Sequence, residues 1–212
     1  TCYKCGTTIE PMLLPQWFIK MEPLAKPAIE AVRKGKIKIH PKKFEKIYFQ
    51  FLENIRDWNI SRQIVWGIRI PAWQCEDCSR AKNEELKANN EKGWIITDGE
   101  KPEKCPDCGG NNLIQDPDTF DTWFSSSQWP FATLQTTKLG DFEYFYPTSV
   151  METGYDILRW WVARMVMVGL YVTNKVPFEN VVLHGLVNDP LGKKMSKSKG
   201  NIVDPLELVE QY

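Results

Sequence analysis

The sequence predicts an α/β domain whose central strands run parallel. Strand-like segments at 146–151 and 176–183 flank a helical segment at 155–170, and similar strand–helix alternation precedes them. Alternation of this kind is typical of sheets with parallel strands. Such sheets bind ligands at the carboxyl ends of their strands, so the turns after Met151 and after Leu183 are the places where we expect a site.

The remaining elements follow from apolar spacing and from residues that break helices and strands. In chain order they are a strand at 16–21, a helix at 23–34 that Gly35 ends, a strand at 37–40, a helix at 42–54, a turn at 152–154 and a helix at 205–212 that Asp204 caps. The helix at 155–170 is expected to present one apolar face, made of Ile157, Trp161, Met165 and Val168.

Composition excludes a strongly basic or acidic protein. Lysine plus arginine and aspartate plus glutamate each number 27 among 212 residues, so no overall charge drives binding to nucleic acid. The exception is the stretch 33–46, which holds seven lysines or arginines against the single acid Glu45. This stretch could contact phosphates, or it could be a solvated face.

No segment predicts export or insertion into a membrane. The most apolar stretch, 157–172, is too short to cross a bilayer and contains Arg159 and Arg164. The chain opens on polar residues, so we expect no signal peptide and a cytoplasmic location. Because the first residue is not methionine, we expect a fragment of a longer protein.

Six cysteines occur as three C-x-x-C pairs, a spacing that predicts metal binding in a chain without a mark of export. Two pairs supply four thiolates for one tetrahedral structural zinc: Cys75, Cys78, Cys105 and Cys108. The polar segment 79–104 between them is expected to be an exposed excursion that the metal holds. Cys2 and Cys5 are either a half-site with partners upstream or two free cysteines in a loop.

The stretch 192–200 reads G-K-K-M-S-K-S-K-G. Four ammonium groups this close repel one another unless an anion neutralises them. The glycines at both ends permit backbone conformations closed to other residues. We interpret the stretch as a mobile basic loop for a polyphosphate, with a solvated lysine-rich turn as the alternative.

Several stretches resemble the class I aminoacyl-tRNA synthetases. K-M-S-K-S at 194–198 is typical of the whole class, and I-R-D-W-N-I-S-R-Q at 55–63 resembles a block of the enzymes for valine, isoleucine and leucine. D-T-W-F-S-S at 121–126 and T-G-Y-D-I at 153–157 favour the valine enzymes over the isoleucine enzymes. The resemblance covers nearly all of the chain.

The resemblance implies the second half of a Rossmann-type catalytic domain with parallel strands, plus a small zinc-ribbon excursion. By this resemblance, residues 1–15 are the end of an editing insert, with half of a zinc knuckle, and residues 16–74 are a catalytic strand–helix–strand–helix segment. Residues 75–115 are a zinc-binding excursion, and residues 116–212 are the second half of the Rossmann domain with the lysine loop. Such a piece is not expected to be active alone, and the full-length enzyme is expected to be a monomer.

The resemblance also implies an activity: ATP-dependent formation of valyl-adenylate and transfer of valine to tRNA(Val), with Mg²⁺ and Zn²⁺ as cofactors and no membrane partner. Lys194 and Lys197 are implied to be catalytic. The implied ATP site comprises His184, Gly185, Gly154, Asp156, Lys194, Met195, Ser196, Lys197 and Ser198. The valine side chain is implied to meet Trp123, Ile157 and Trp161.

Other interpretations stay open at this point. An isoleucine–tRNA ligase of the same class would share most of these blocks. A zinc-ribbon module that binds RNA without catalysis would explain the cysteine pairs and the basic stretch 33–46, but it leaves the lysine loop unexplained. A truncated, inactive relic is the third alternative.

Overall fold

The computed structural model describes residues 1–2, 5–80, 94–197 and 200–211. The chain forms two compact units, each made of two separate stretches. The first unit comprises Thr1–Lys20 and Asp57–Ser125, and the second comprises Met21–Arg56 and Ser126–Tyr212. Among the described residues, no helix has both the length and the apolar character needed to cross a membrane.

Short strands and helices alternate along the described residues. The strands are β1 (Phe18–Ile19), β2 (Lys38–His40), β3 (Trp58–Asn59), β4 (Ser61–Arg62), β5 (Ala72–Cys75), β6 (Trp94–Ile96), β7 (Leu113–Gln115), β8 (Thr119–Phe120), β9 (Thr148–Gly154) and β10 (Phe178–His184). The α-helices are α1 (Glu22–Arg33), α2 (Glu45–Glu53), α3 (Glu76–Arg80), α4 (Thr122–Ser126), α5 (Trp129–Thr137), α6 (Asp141–Phe145), α7 (Ala163–Thr173) and α8 (Pro205–Gln211). Two 3-10 turns, Lys42–Phe44 and Tyr155–Ile157, and one π-helical turn, Leu158–Val162, complete the list.

The second unit is built on a three-stranded parallel sheet. β10 lies between β2 and β9 and pairs with both in parallel. Val181 and Leu183, two positions apart on β10, are buried, as expected for the core-facing side of a strand, and Phe178 at its start is also buried. The prediction of an α/β fold with parallel strands is therefore confirmed.

Two helices of the second unit pack against each other, α1 and α7. α1 has Pro23 in its first turn, where proline is tolerated. Gly35 follows the end of α1 with a φ of +70°, a conformation that glycine adopts without strain. α7 is buried from Ala163 to Gly169. Near the C-terminal end of the chain, the Leu206 N–H donates to Asp204 Oδ1 at 2.9 Å, so the predicted cap of α8 is present.

One prediction about the second unit is wrong, and another is right only in part. The turn at 152–154 does not form, because β9 stays paired with β10 until Gly154 lies opposite His184. The helix at 155–170 begins instead with the 3-10 turn and the π turn, and becomes α-helical only at Ala163. Ile157, predicted to lie on the apolar face of this helix, is on the 3-10 turn and is only partly buried.

The first unit is assembled from small antiparallel sheets. β5 lies between β6 and β7, and the pairs β1–β3 and β4–β8 form two-stranded ladders. Two tryptophans are anchored by carboxylates: Trp17 Nε1 donates to Asp116 Oδ2 at 2.9 Å, and Trp58 Nε1 donates to Asp121 Oδ2 at 3.0 Å. Half of the excursion predicted at 79–104 lies in residues 81–93, which are outside the described residues.

Candidate active site and candidate metal centre

The carboxyl ends of β9 and β10 lie side by side in the second unit. The register places Gly154 directly opposite His184. A Cβ built on Gly154 would lie 2.7 Å from Asp156 Oδ1 and 3.7 Å from His184 Cε1. A side chain at position 154 would obstruct the Asp156 carboxylate, so glycine at this position allows its close approach to the strand end. Three residues of the predicted ATP site thus lie together.

The lysine segment reaches the same strand end. Lys194 Nζ lies 2.6 Å from Asp156 Oδ2, with 62% of the lysine side chain and 28% of the aspartate side chain exposed. This ion pair joins the predicted phosphate-binding segment to the predicted ribose-binding residue. Asp156 sits on the 3-10 turn that follows β9, so the sheet and the turn together determine where the lysine binds.

His184 is held by a neighbouring carbonyl. Its Nδ1 lies 2.6 Å from Gly185 O, and because a carbonyl only accepts, Nδ1 carries the proton. The other ring nitrogen, Nε2, lies 3.3 Å from Glu152 Oε1. Sequence reasoning missed Glu152, since it assigned this residue to a turn, whereas the register of β9 places it near the histidine of the adjacent strand.

A cavity of about 560 Å³ opens beside this strand end, within the size range of small-molecule sites. Its lining is Pro41, Lys43, Phe44, Ile47, Tyr155, Leu183, His184 and Gly185. The rings of Phe44 and Tyr155 stack with centroids 5.7 Å apart and planes 19° apart. The sequence analysis did not assign these two aromatic residues to a site. The one signal in the sequence for such a role was the position of Tyr155, an aromatic residue directly after the end of a strand.

The rest of the lysine segment is more exposed. Gly192 and Gly200 have φ angles of +73° and +65°, which fits the conformational role predicted for them. Met195 and Ser196 are partly buried, whereas the Lys197 side chain is exposed. Ser198, also predicted to contact ATP, lies outside the described residues. The predicted mobility of the segment stays a prediction.

The residues predicted to bind the amino acid fall in both units. In the second unit, Trp161 lies in the π turn, where its Nε1 donates to Ser126 O at 3.1 Å. The Trp129 ring lies 6.4 Å from the Trp161 ring, at an interplanar angle of 60°. Ile157 is partly buried on the 3-10 turn. Trp123 belongs to the first unit, where it is partly buried on α4.

The first unit gathers four predicted zinc ligands, whose sulfur atoms all lie within 4.8 Å of one another: Cys75, Cys78, Cys105 and Cys108. Cys75 Sγ lies 3.5 Å from Cys108 Sγ. Cys78 Sγ lies 3.7 Å from Cys105 Sγ. Four sulfurs placed about 2.3 Å from a central zinc ion would be roughly 3.8 Å apart, so the cluster fits a tetrahedral zinc site.

Hydrogen bonds shift the pKa values of the thiols in this cluster in opposite directions. Backbone N–H groups of Cys108 and Asp107 lower the pKa of Cys105 to about 7. A hydrogen bond with Cys108, and then one with Cys105, raises the pKa of Cys78. Four thiols this close cannot all ionise without a cation to offset their repulsion. The arrangement can therefore hold a thiophilic metal ion.

Cys2 and Cys5 lie apart from that cluster in the sequence. The Gly6 N–H donates to Cys2 O at 2.8 Å. The hydrogen bond between Cys5 Sγ and Thr7 Oγ1 lowers the pKa of Cys5 to about 7. Within the described residues, these two cysteines belong to no group of three or more metal ligands, so the half-site stays a prediction.

Comparison with known proteins identifies the class. The family model described as tRNA synthetases class I (I, L, M and V) matches residues 7–212, and the chain belongs to this family. The fold agrees with that assignment. Mycobacterium tuberculosis methionyl-tRNA synthetase bound by methionyl-adenylate superposes with a TM-score of 0.59 at 18% identity, over 98% of this chain and 33% of that one. An Agrobacterium radiobacter K84 LeuRS–tRNA–LeuAMS complex superposes with a TM-score of 0.57 at 24% identity, over 74% of this chain and 23% of that one.

Within the family, the similar curated relatives are valine–tRNA ligases. Those of Clostridium tetani and Clostridium acetobutylicum are 52% and 53% identical to this chain over 210 residues, which is 99% of its length. The enzyme of Symbiobacterium thermophilum is 51% identical over all of it. The chain spans 22% of the length of each of these relatives.

Proposed function

We propose that this chain is part of a valine–tRNA ligase, which activates valine with ATP to valyl-adenylate and transfers it to tRNA(Val). The observation that carries the proposal is the identity of about half of all residues with enzymes of that name, spread over the whole chain. The blocks at 121–126 and 153–157, which favour valine over isoleucine, support it independently of the overall identity.

The proposed chemistry requires positioning and positive charge rather than a general base. The valine carboxylate is already ionised at neutral pH, so it can attack the α-phosphorus of ATP and displace pyrophosphate without losing a proton. Charge then builds on the phosphate oxygens, where ammonium groups stabilise it. We assign that role to Lys194 and Lys197.

The ATP site is proposed at the carboxyl ends of β9 and β10. Gly154 and Asp156 would meet the ribose, and His184 with Gly185 would lie near the adenine. The contact between Lys194 and Asp156 supports this grouping, because it brings a lysine proposed to bind phosphate to the proposed ribose site. Met195, Ser196 and Ser198 are assigned to ATP by the resemblance. Mg²⁺ would be held by ATP phosphates, since oxygen ligands suit it and the clustered ligands among the described residues are cysteine sulfurs.

The amino-acid pocket is proposed from Trp161 and Ile157 in the second unit and, by the resemblance alone, from Trp123 in the first. The hydrogen bond from Trp161 to Ser126 supports a fixed wall in the second unit. An apolar wall of this kind discriminates one methylene by only about 1–3 kcal/mol. Zinc is proposed as a structural ion of the four-cysteine cluster, where all four positions would be taken by sulfur.

We also propose that the chain works as part of a monomeric, cytoplasmic enzyme. Residues 1–15 would end an editing insert, residues 16–74 and 116–212 would belong to the catalytic domain, and residues 75–115 would form the zinc excursion. These assignments follow the resemblance and are independent of the division into two units.

The direct test is amino-acid-dependent exchange of pyrophosphate into ATP, measured on the full-length gene product. We expect exchange with valine to exceed exchange with isoleucine and leucine. Greater exchange with isoleucine would overturn the proposal in favour of an isoleucine–tRNA ligase. No exchange with any amino acid, together with RNA binding that is independent of ATP, would favour a non-catalytic zinc-ribbon module.

A further inference from the structure

Two polar side chains just outside the K-M-S-K-S pentapeptide face each other across the lysine segment. Asp189 precedes the segment and Asn201 follows it, and Asn201 Nδ2 donates to Asp189 Oδ2 at 2.8 Å. Both residues are partly buried. The pair, which we call the Asp189–Asn201 clasp, therefore joins the two ends of the segment.

The other carboxylate oxygen of Asp189 organises the turn that leads into the lysines. Asp189 Oδ1 accepts from the Leu191 N–H at 3.0 Å and from the Lys193 N–H at 2.7 Å. The Asp189 N–H in turn donates to Lys193 O at 2.9 Å. Hydrogen bonds to a charged acceptor are stronger than those between neutral groups, so this carboxylate determines the backbone path of the turn.

Asn201 organises the other end of the segment. Its Oδ1 accepts from the Ser196 N–H at 2.9 Å, and its Nδ2 also approaches Lys194 O at 3.3 Å. A donor faces the oxygen, and two acceptors face the nitrogen. Only one orientation of the amide satisfies all three neighbours, so the side chain is specified by its surroundings.

We propose that Asp189 and Asn201 are positioning residues for ATP binding, which hold the backbone of the lysine segment so that Lys194 reaches the strand end at Asp156. The proposal rests on the proposed function of this segment. Neither clasp residue is assigned a contact with ATP; both act through the backbone of Lys193, Lys194 and Ser196. Ordering this backbone in advance spares ATP the entropic cost of ordering it.

Exchanging the two residue types tests the hydrogen bond between Asp189 and Asn201 apart from the contacts that each residue makes alone. Asp189→Asn brings two amide NH₂ groups face to face, and Asn201→Asp brings two carboxylates face to face. The double variant D189N/N201D reverses the donor and the acceptor and restores their hydrogen bond, although it loses the approach to Lys194 O. Asn188→Ala is the matched control, because no hydrogen bond of the Asn188 side chain is present among the described residues.

The first readout is ATP binding by the full-length protein, with the dissociation constant from calorimetry and KM values from pyrophosphate exchange. We expect each single variant to weaken ATP binding about tenfold, the size expected for losing a hydrogen bond to a charged group. The KM for valine should be unchanged. The double variant should recover to within about threefold of the wild type, and N188A should match it.

The second readout is the rate of trypsin cleavage at the lysines of the segment, which follows local opening and needs no catalytic activity. Both single variants should be cleaved about tenfold faster than the wild type, and the double variant should be protected again. The thermal unfolding midpoint of each variant establishes that the changes are local.

Unchanged ATP affinity in both single variants would overturn the proposal, even if trypsin cleavage were faster, because the clasp would then hold the segment without serving ATP. A double variant as weak as the single variants would overturn the direct pairing. A wild type that binds ATP but shows no valine-dependent exchange would refute the proposed amino-acid specificity alone. The calorimetric and trypsin comparisons would still decide the role of the clasp.

Discussion

The four-cysteine cluster of the first unit and the lysine segment of the second both concentrate groups that repel one another when charged. In the cluster, two of the four cysteines are buried, and all four sulfurs converge within 4.8 Å. In the lysine segment, the side chains of Lys193, Lys194 and Lys197 are exposed. Of these three, only Lys194 has an acidic partner among the described residues.

Under the proposed function, this difference separates a site for a resident ion from a site for a ligand that binds and leaves. Converging sulfurs surround one small ion completely, which suits a structural role. Exposed ammonium groups on a turn can bind a polyphosphate and release it. Their mutual electrostatic repulsion is offset only while the anion is bound. The predictions below test this contrast.

Loss of zinc should have the largest effect, and it should be confined to structure. Cys105→Ser in the full-length protein removes one thiolate of a site whose metal is worth roughly 10–16 kcal/mol in apparent free energy for small zinc domains. We expect the zinc content to fall by one ion per chain and the thermal unfolding midpoint to drop. Asp107→Asn, an exposed neighbour in the same turn, is the control. Unchanged zinc content in C105S would contradict the assignment.

Loss of an exposed lysine should instead affect catalysis without affecting structure. Lys197→Ala should lower kcat for valine-dependent pyrophosphate exchange by roughly 10²–10³-fold, the usual effect of removing one group that stabilises transition-state charge. Zinc content and the unfolding midpoint should stay at wild-type values. Lys138→Ala makes the same charge change on an exposed lysine outside the site. A loss of less than about threefold in K197A would remove Lys197 from the catalytic assignment.

The sequence predicted the features that depend on short-range spacing. C-x-x-C turns place two sulfurs on one side of the chain whatever the rest of the fold, and the structure brings the four predicted cysteines together. The cap at Asp204 and the end of α1 before Gly35 are local for the same reason. The parallel sheet was predicted because alternating strands and helices leave few other topologies.

Features that depend on partners distant in the sequence could not be predicted. Glu152 and Gly154 are poor strand formers, and they stay in β9 only because β10 supplies a complete parallel ladder beside them. The stacking of Phe44 on Tyr155 joins residues more than a hundred positions apart. Asp189 and Asn201 lie on either side of the K-M-S-K-S motif, but their residue types alone do not predict the hydrogen bond between them.

The smallest effect is expected at the exposed contact between Glu152 and His184 in the second unit. Glu152 and His184 lie 3.3 Å apart with 59% and 52% of their side chains exposed, so solvent screens their interaction. Glu152→Gln should change the KM for ATP by less than about threefold. The imidazole keeps its orientation because Nδ1 still donates to Gly185 O.

The size of that effect decides how the strand end works. A change larger than about tenfold in E152Q could not come from an exposed pair. It would mean that Glu152 itself contacts ATP or valine. The site in the second unit would then need the charge of Glu152, as the cysteine cluster of the first unit needs the charge of its thiolates. If E152Q leaves the KM nearly unchanged while K197A shows its expected loss of kcat, the strand end acts through its shape and backbone, and the lysine segment supplies the charge.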